Sequence, residues 1–304
     1  MVKGMLLSLD LDGTLLDIHG QCLELYGSKR GVSETNFDAI QKAISNGITV
    51  IFNTARDFAR AQEATPKFKL DTQPGVYCNG SLVLGKNGER LFESCVEADM
   101  LKILVKLAKK HKGICGIFAY SADGHEICCG NEAIIKKFIK NWGVLNAKII
   151  SMDEFLNSTN VFTGVRFVGT RLDEAFANVL EEEKLPDDVY MDVYSDGKCV
   201  MFGKKGIDKR SGLEMLAKHL EVPCDADHVI HMGDQEADIS PFPVVRGIAP
   251  GNAADICIKA AHHVTTDHND KDRPAVAYVI ERLLEVDSNV EPSRRFVGWP
   301  RDLV

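Results

Sequence analysis

In "LLSLDLDGTLLD" (residues 6–17), an apolar run ends in two aspartates that are followed by Gly13 and Thr14. The run is typical of a buried parallel strand, and Asp and Gly are ordinary residues of the turn after a strand. Because side chains alternate along a strand, Asp10 and Asp12 would share one face, with their carboxylates only a few ångströms apart. Such a pair is most easily tolerated when a cation lies between the two groups or when one carboxyl keeps its proton. The stretch therefore indicates a metal site at the end of a strand.

The composition limits the class of protein. The chain has 304 residues, of which 45% are hydrophobic and 26% are charged, and its formal net charge is -8. It is long enough for two modest domains, and it shows neither the basic stripe of a nucleic-acid surface nor a run of roughly 18 apolar residues. Its nine cysteines are odd in number and have no C-x-x-C spacing, which indicates reduced thiols. We expect a cytoplasmic monomer or homodimer with no signal peptide and with no nucleic-acid or membrane partner.

Strands alternate with helices in both terminal parts of the chain. In the N-terminal part, residues 37–45 have helical spacing, with Ser33 or Thr35 as the N-cap. The remaining predicted elements are strands at 47–53, 75–80, 228–234, 244–249 and 262–266, a polar helix from residue 57, and a helix at 274–286. This alternation predicts a doubly wound α/β fold with a parallel sheet.

The pattern changes between the two terminal parts. From about residue 84 to residue 202, predicted helices (100–111 and 172–184) are mixed with predicted strands (164–170, 189–195 and 198–203). Such a mixture indicates an α+β domain that is inserted into the first one. We therefore predict a discontinuous core of residues 1–83 and 203–304 and an inserted domain of residues 84–202.

Four segments would meet at the carboxyl ends of the predicted strands, where doubly wound sheets bind their ligands. The first is the Asp10–Thr14 turn, and the second is "NTAR" (53–56), whose hydroxyl, helix-start N–H groups and arginine suit a phosphate. The third is Lys209, which begins an amphipathic helix, and the fourth is "MGDQEAD" (232–238), in which another apolar strand ends in an aspartate.

Each of these side chains has an alternative interpretation. Thr54 could be a plain helix cap, and Arg56 could reach a substrate or pair with a nearby acid. Lys204 and Lys205 compete with Lys209 for the role of the positive charge. His231, inside the fourth segment's strand, is predicted to be a packed core residue.

The order Asp-x-Asp-Gly-Thr, then Thr, then Lys, then Gly-Asp-x-x-x-Asp resembles the four motifs of the haloacid dehalogenase (HAD) superfamily of phosphatases. "DLDGTLLD", "TAR", "GIDK", "GDQEAD" and "GIAPGNA" are similar to its Cof-type branch, which carries a large α/β cap between the second and third motifs. The inserted domain falls at that place. The resemblance implies a Rossmann-like parallel-sheet core with an inserted α+β cap, and an HAD-type phosphatase that acts on a small phosphorylated metabolite, foremost a sugar phosphate.

The resemblance also implies a role for each motif residue. Asp10 would be the nucleophile and Asp12 the general acid and base. Thr54 and Lys209 would hold the phosphate, with Lys209 also serving catalysis, and Arg56 would be a further substrate contact. A carboxylate that attacks an anionic phosphate needs the charge between them neutralised, which these cationic groups can do.

By the same resemblance, Mg²⁺ would be the cofactor. Its ligands would be the Asp10 carboxylate, the backbone carbonyl of Asp12 and the Asp234 carboxylate. Asp238 would orient Lys209 or the shell around the metal. The cation would neutralise charge during in-line phosphoryl transfer.

Two features depart from the family pattern. Residues 18–34 make the segment after the first motif longer than expected, and Ala237 lies where Cof-type proteins commonly place Asn. Two other functions stay open. A phosphomutase or other phosphotransferase would use the same Asp10 chemistry, whereas a phosphometabolite-binding regulator would need neither a nucleophile nor an acid.

Overall fold

The structure is a computed structural model that describes residues 4–16, 32–111, 114, 116–121, 126–142, 147–159, 161–168, 178, 182–194, 199–285, 296 and 299. Two predicted features and the C-terminal tail lie mostly outside these residues. They are the long segment at 18–34, the helix at 172–184 and the C-terminal tail after residue 287.

The chain divides into two compact units, and an eight-stranded sheet organises the first of them. Its strands lie in the order β14-β13-β12-β1-β2-β3-β4-β5. The pairs from β14 to β3 are parallel, and β4 runs antiparallel to β3. The strands are β1 (Leu6–Leu9), β2 (Thr49–Asn53), β3 (Gly75–Tyr77), β4 (Leu82–Leu84), β5 (Arg90–Glu93), β12 (Val229–Met232), β13 (Arg246–Ala249) and β14 (His263–Val264). Central β1 is wholly buried, as its apolar residues predict. The predicted α/β fold class is confirmed.

Helices accompany this sheet along the chain. They are α1 (Glu34–Ser45), α2 (Phe58–Ala64), α6 (Lys209–His219), α7 (Asp255–Ala260) and α8 (Ala275–Glu285). Ser33 caps α1, because its hydroxyl accepts a hydrogen bond from the backbone N–H of Asn36. Of the two predicted caps, Ser33 is therefore the one that the structure shows.

A six-stranded sheet organises the second unit, in the order β10-β11-β9-β6-β7-β8, with antiparallel pairs except β7–β8. Its strands are β6 (Gly116–Tyr120), β7 (Glu126–Gly130), β8 (Lys148–Ile150), β9 (Gly164–Val168), β10 (Val189–Tyr194) and β11 (Cys199–Lys204). Its described helices are α3 (Ala98–Lys110), α4 (Glu132–Trp142) and α5 (Met152–Leu156). One sheet face and α3 share an apolar core that includes Leu104, Phe167 and Phe202.

The two units divide the chain at places that differ from the predicted boundaries. The first comprises Met1–Arg56, Arg60–Phe92 and Asp208–Val304, and the second comprises Asp57–Ala59 and Glu93–Ile207. Residues 84–92 belong with the first unit because β4 and β5 continue its sheet. The designation of the units as core and cap stays a prediction. Among the described residues, none of the helices has the length and apolar character that a bilayer crossing requires.

Candidate active site

The carboxyl ends of neighbouring strands bring the predicted segments together. β12, β1 and β2 are adjacent and parallel, so the residues that follow them share one edge of the sheet. Asp10 follows β1, Thr54 follows β2 and Asp234 lies two residues beyond β12. Lys209, the first residue of α6, joins them at this edge through a direct contact with Asp10.

Lys209 lies between two buried carboxylates. Its Nζ donates hydrogen bonds to Asp10 Oδ1 at 2.7 Å and to Asp238 Oδ1 at 2.5 Å, and only 2% of the lysine side chain is exposed. Burial acts to lower the pKa of Lys209, but the two carboxylates outweigh it and hold that pKa above its ordinary value. Burial likewise acts to raise the pKa of Asp238, yet Lys209 and His231 hold it below its ordinary value. The Lys209–Asp238 pair is therefore ionised.

Three buried carboxylates form a group that could hold a cation. One oxygen each from Asp10, Asp234 and Asp238 lies within 4.8 Å of the other two. Burial raises the pKa of Asp10 well above its ordinary value despite Lys209, and burial together with Asp238 raises the pKa of Asp234 to about 7. Both shifts mean that ionising these groups is costly without a further positive charge. Carboxylate oxygens that lack enough neighbouring positive charge suit a hard divalent cation.

Gly13 lets Asp234 approach the first motif closely. The φ of Gly13 is +77°, and a Cβ at this position would lie 2.3 Å from Asp234 Oδ2. A side chain at residue 13 would therefore collide with a residue of the acidic group, in a backbone conformation that already favours glycine.

Asp12 points to a different partner. Arg56 donates through Nε to Asp12 Oδ2 at 2.7 Å and through Nη2 to Asp12 Oδ1 at 2.6 Å. This is the two-bond geometry in which arginine holds a carboxylate most firmly. The Asp12 carboxylate does not belong to the three-carboxylate group found among the described residues. Its predicted contact with a metal runs through its backbone carbonyl and stays a prediction.

Thr54 is buried at the end of β2 and is tied into the neighbouring backbone. Its N–H donates to Val76 O at 3.0 Å, and its carbonyl accepts from Asn79 N at 3.1 Å. Its hydroxyl accepts from Arg56 N at 3.2 Å, a local contact within the loop, and since α2 begins only at Phe58 this contact does not cap that helix. The proposed contact between Thr54 and phosphate stays a prediction.

Two features fix the start of α6 and hence Lys209. Asp208 is the N-cap, since its carboxylate accepts from Ser211 N at 2.8 Å while Ser211 Oγ accepts from Asp208 N at 2.9 Å. From β2, Asn53 Nδ2 donates to Lys209 O at 3.0 Å. The competing residue Lys204 is instead half exposed and lies near surface carboxylates.

Several buried or partly buried polar residues contact the site residues although the sequence does not assign them to the site; His231 is fully buried, as expected of a packed core residue. His231 Nε2 lies 3.1 Å from Asp238 Oδ1, and its Nδ1 lies 2.9 Å from Ser8 Oγ. Burial lowers the pKa of His231 below its ordinary value. Gln235 Nε2 donates to Asp234 Oδ2 at 2.7 Å. The available signal for His231 and Ser8 was a polar residue inside an otherwise apolar strand; Gln235 follows β12 and carries no such signal.

Asn252 is another residue that the sequence analysis did not assign. Its Nδ2 donates to Gly13 O at 2.8 Å, and its Oδ1 accepts from His268 N at 2.8 Å. The side chain thereby connects the loop after β13 with the turn that carries the first motif. The sequence of "GIAPGNA" resembles the Cof-type branch, and the contact with residue 13 shows which backbone group its Asn binds.

The chain is similar in sequence to known proteins. The sequence model of the haloacid dehalogenase-like hydrolases matches residues 7–280. The chain is 25% identical over 279 residues to the chloroplastic endoribonuclease YBEY of Arabidopsis thaliana, covering 88% of this chain but 45% of that protein. The chain thus spans less than half the length of this curated relative.

Solved structures share the fold. TM0651 from Thermotoga maritima has a TM-score of 0.74 at 23% identity, with 91% of this chain and 97% of that chain covered. The sugar phosphatase BT4131 of HAD subclass IIB has a TM-score of 0.71 at 18% identity, with 91% and 98% covered. Both likenesses extend over nearly the whole of this chain.

Proposed function

The chain belongs to the family of haloacid dehalogenase-like hydrolases, and from this premise we propose that it hydrolyses a small phosphomonoester, foremost a sugar phosphate, through an aspartyl-phosphate intermediate. Membership of the family confirms the resemblance inferred from the motifs and the prediction of a phosphatase-type enzyme. The substrate class, Mg²⁺ as the cofactor and the roles of individual residues belong to the proposal.

The contact between Lys209 and Asp10 carries the proposal. A carboxylate that is to attack phosphorus must meet an anion, and the ammonium group 2.7 Å away can neutralise part of the combined charge. In the first step an Asp10 oxygen forms a bond to phosphorus while the bond from phosphorus to the alcohol oxygen breaks. Lys209 and Thr54 hold the phosphoryl oxygens during this transfer.

Asp12 moves the protons. It donates one proton to the departing alkoxide and later takes one from the water molecule that attacks the aspartyl-phosphate, which releases orthophosphate and restores Asp10. Arg56 donates to both Asp12 oxygens and so orients the ionised carboxylate that accepts a proton; one of these hydrogen bonds opens when Asp12 carries the proton that it donates. Because the Asp12 side chain is 35% exposed, it retains access to water.

Asp10 and Asp234 would hold Mg²⁺, together with the Asp12 carbonyl. When bound, Mg²⁺ supplies positive charge that offsets the repulsion between carboxylate and phosphate. Asp238 is better suited to orient Lys209 than to bind the cation directly, because one of its oxygens accepts from Lys209 and His231 and the other from backbone N–H groups.

A panel of phosphate esters tests the proposal. Sugar phosphates, nucleotides, pyridoxal phosphate and FMN are incubated with the protein, with Mg²⁺ or with a chelator, and both orthophosphate and the organic product are identified. We expect orthophosphate release that requires Mg²⁺. An isomeric phosphate ester in place of orthophosphate would identify a phosphomutase, whereas binding without turnover would identify a regulator.

Asp10→Asn is the matched control for this panel. The substitution keeps the shape of the side chain but removes the nucleophile, so we expect turnover to be abolished while the fold is retained. Turnover within about tenfold of the wild-type rate would exclude Asp10 as the nucleophile.

A further inference from the structure

His231 is a buried polar residue in the middle of β12 that the proposed chemistry does not use. None of its side chain is exposed, and both ring nitrogens are within hydrogen-bond distance of a partner. Because a carboxylate only accepts, the Nε2–H of the ring is the donor to Asp238 Oδ1. On the other side, Nδ1 pairs with Ser8 Oγ across the register position that joins β1 to β12.

The Asp238 carboxylate accepts four hydrogen bonds. Asp238 Oδ1 accepts from Lys209 and His231, and Asp238 Oδ2 accepts from the backbone N–H groups of Asp234 and Gln235, each at 3.1 Å. The two N–H groups restrain Oδ2 only. The imidazole is the second donor on Oδ1, the oxygen that faces Lys209.

We propose that His231 is a positioning residue for Lys209, acting through Asp238. The inference rests on the proposed function, in which Lys209 stabilises the phosphoryl group that Asp10 attacks. The imidazole fixes Asp238 Oδ1, this oxygen fixes the Lys209 ammonium, and the ammonium contacts the nucleophile. Ser8 holds the other side of the ring through its contact with Nδ1, and it lies in β1, the strand that leads into Asp10.

Charge and burial explain why such an anchor is useful. Lys209 has a long, flexible side chain, and its ammonium lies between two carboxylates that compete for it. If Asp238 rotates, the ammonium can follow it and leave the position that faces the phosphate. A second donor on Asp238 Oδ1 restricts that rotation. Removing the outer hydrogen-bond partner of a metal ligand typically changes activity by about 10- to 100-fold, and we expect an effect of this order for the partner that supports Lys209.

Two substitutions at one position separate the two contacts of the ring. His231→Gln places an amide N–H near the Nε2 position and can still donate to Asp238. His231→Asn reaches only the region of Nδ1, so it keeps a polar group near Ser8 but cannot contact Asp238. Turnover of p-nitrophenyl phosphate, thermal unfolding and Mg²⁺ affinity are measured for both variants and for Ser8→Ala.

We expect His231→Asn to lower kcat by about 10- to 100-fold with little change in KM, and His231→Gln to retain most of the wild-type kcat at a similar melting temperature. Ser8→Ala should cause the smaller loss, because the ring keeps its contact with Asp238. Equal kcat values for the Asn and Gln variants, or an effect confined to KM, would overturn the inference.

The ¹⁵N chemical shifts of the His231 ring test the hydrogen-bond network without any measurement of turnover. If the wild-type protein hydrolyses no phosphomonoester, the proposed function fails. The ¹⁵N shifts of the His231 ring then still show whether His231 donates to Asp238. The same spectra decide if neither variant folds. We expect Nε2 to carry a proton; an unprotonated Nε2 would contradict the assigned contact with Asp238.

Discussion

Arg56 and Asp12 form a two-bond ion pair, which is the pairing with a nearby acid that the alternative interpretation of Arg56 predicts. Both Asp12 oxygens are engaged, at 2.7 and 2.6 Å, by the Nε and Nη2 groups of one guanidinium. A planar fork of this kind fixes the plane of a carboxylate as well as its position. The ionised form of the proposed acid and base is therefore oriented before substrate arrives.

Arg56→Ala should lower kcat by about tenfold or more, because two charge-assisted hydrogen bonds to Asp12, each worth about 1.5–3 kcal/mol, are lost. Arg56→Lys keeps the charge but not the fork, so its kcat should be intermediate. Steady-state kinetics on the substrate found in the panel separate the two interpretations of Arg56. A raised KM with an unchanged kcat would instead indicate a substrate contact.

Ala237 occupies the position where Cof-type proteins commonly have Asn, and the structure places Gln235 on the adjacent carboxylate. Gln235 Nε2 donates to Asp234 Oδ2 at 2.7 Å, so part of the hydrogen bonding at Asp234 is already provided. We expect Ala237→Asn to raise kcat/KM or to tighten Mg²⁺ binding by about tenfold at most. Kinetics and a Mg²⁺ titration decide it. If both parameters worsen, the small side chain is itself fitted to the site.

At the scale of elements, residues 78–80 have left-handed backbone conformations and contact both the "NTAR" segment (53–56) and the start of α6. Cys78, Asn79 and Gly80 have φ angles of 54°, 50° and 92°, a conformation that is costly for the two residues with a Cβ. The backbone N–H groups of Cys78 and Asn79 donate to the carbonyls of Arg56 and Thr54 at 2.9 and 3.1 Å. These bonds connect the strained segment to the loop that follows β2.

Gly80 also meets the start of α6. A Cβ on Gly80 would lie 2.1 Å from the backbone carbonyl oxygen of Asp208, the N-cap of that helix. The helix begins with Lys209, so any displacement at its cap displaces the proposed phosphate-binding ammonium. The packing of this short segment therefore sets the position of Lys209, a proposed catalytic residue that is far away in sequence.

Gly80→Ala should destabilise the fold by about 1–3 kcal/mol and should also lower kcat, since α6 must shift to admit the methyl group. Gly4→Ala is the matched control. Gly4 has a similar φ of +77°, but a Cβ there meets nothing within 4 Å. Chemical denaturation and kinetics of both variants give the comparison. Equal loss of activity in the two variants would mean that backbone strain, and not the contact with Asp208, is the cause.

At the scale of the whole molecule, folding gathers charges from distant parts of the chain. Lys209 and Asp10 are 199 residues apart, and the acidic group joins the first strand to the loop after β12. An unfolded chain does not hold these carboxylates together, so a cation that binds them binds the folded state preferentially. Cation binding and global stability are therefore linked.

Mg²⁺ should raise the midpoint of thermal unfolding, and more so at about pH 8 than at about pH 6. The folded-state pKa of Asp234 is raised to about 7, above its ordinary value. A carboxyl with a raised folded pKa contributes stability that is complete below its unfolded pKa of about 3.9 and is lost as the pH rises through the folded value. A cation that binds the ionised carboxylates offsets that loss.

Thermal scans with Mg²⁺ and with a chelator across this pH range provide the test, and Asp234→Asn is the control. The variant keeps the shape of the side chain but cannot ionise. We expect its Mg²⁺-induced shift to be smaller and less dependent on pH than that of the wild-type protein, because Asp10 can still ionise. A shift of the same size in both proteins would place the cation elsewhere.

The sequence identifies those residues whose spacing along the chain indicates a strand, a helix or a family motif. The alternation of strands and helices predicted the parallel sheet, and the ordered motifs predicted Asp10, Thr54, Lys209 and Asp234 at the ends of its elements. The large sheet nevertheless extends to residue 93, beyond the predicted boundary, because strand pairing depends on distant partners rather than on local composition.

The contacts of individual side chains were decided by the tertiary structure. That Arg56 holds Asp12, that Asn53 fixes the start of α6 and that His231 supports Asp238 follow from the packing of parallel strands far apart in sequence. Local patterns depend on neighbours along the chain, whereas a buried polar residue is stable only if a specific partner lies within about 3 Å. That partner exists only once the sheet has formed.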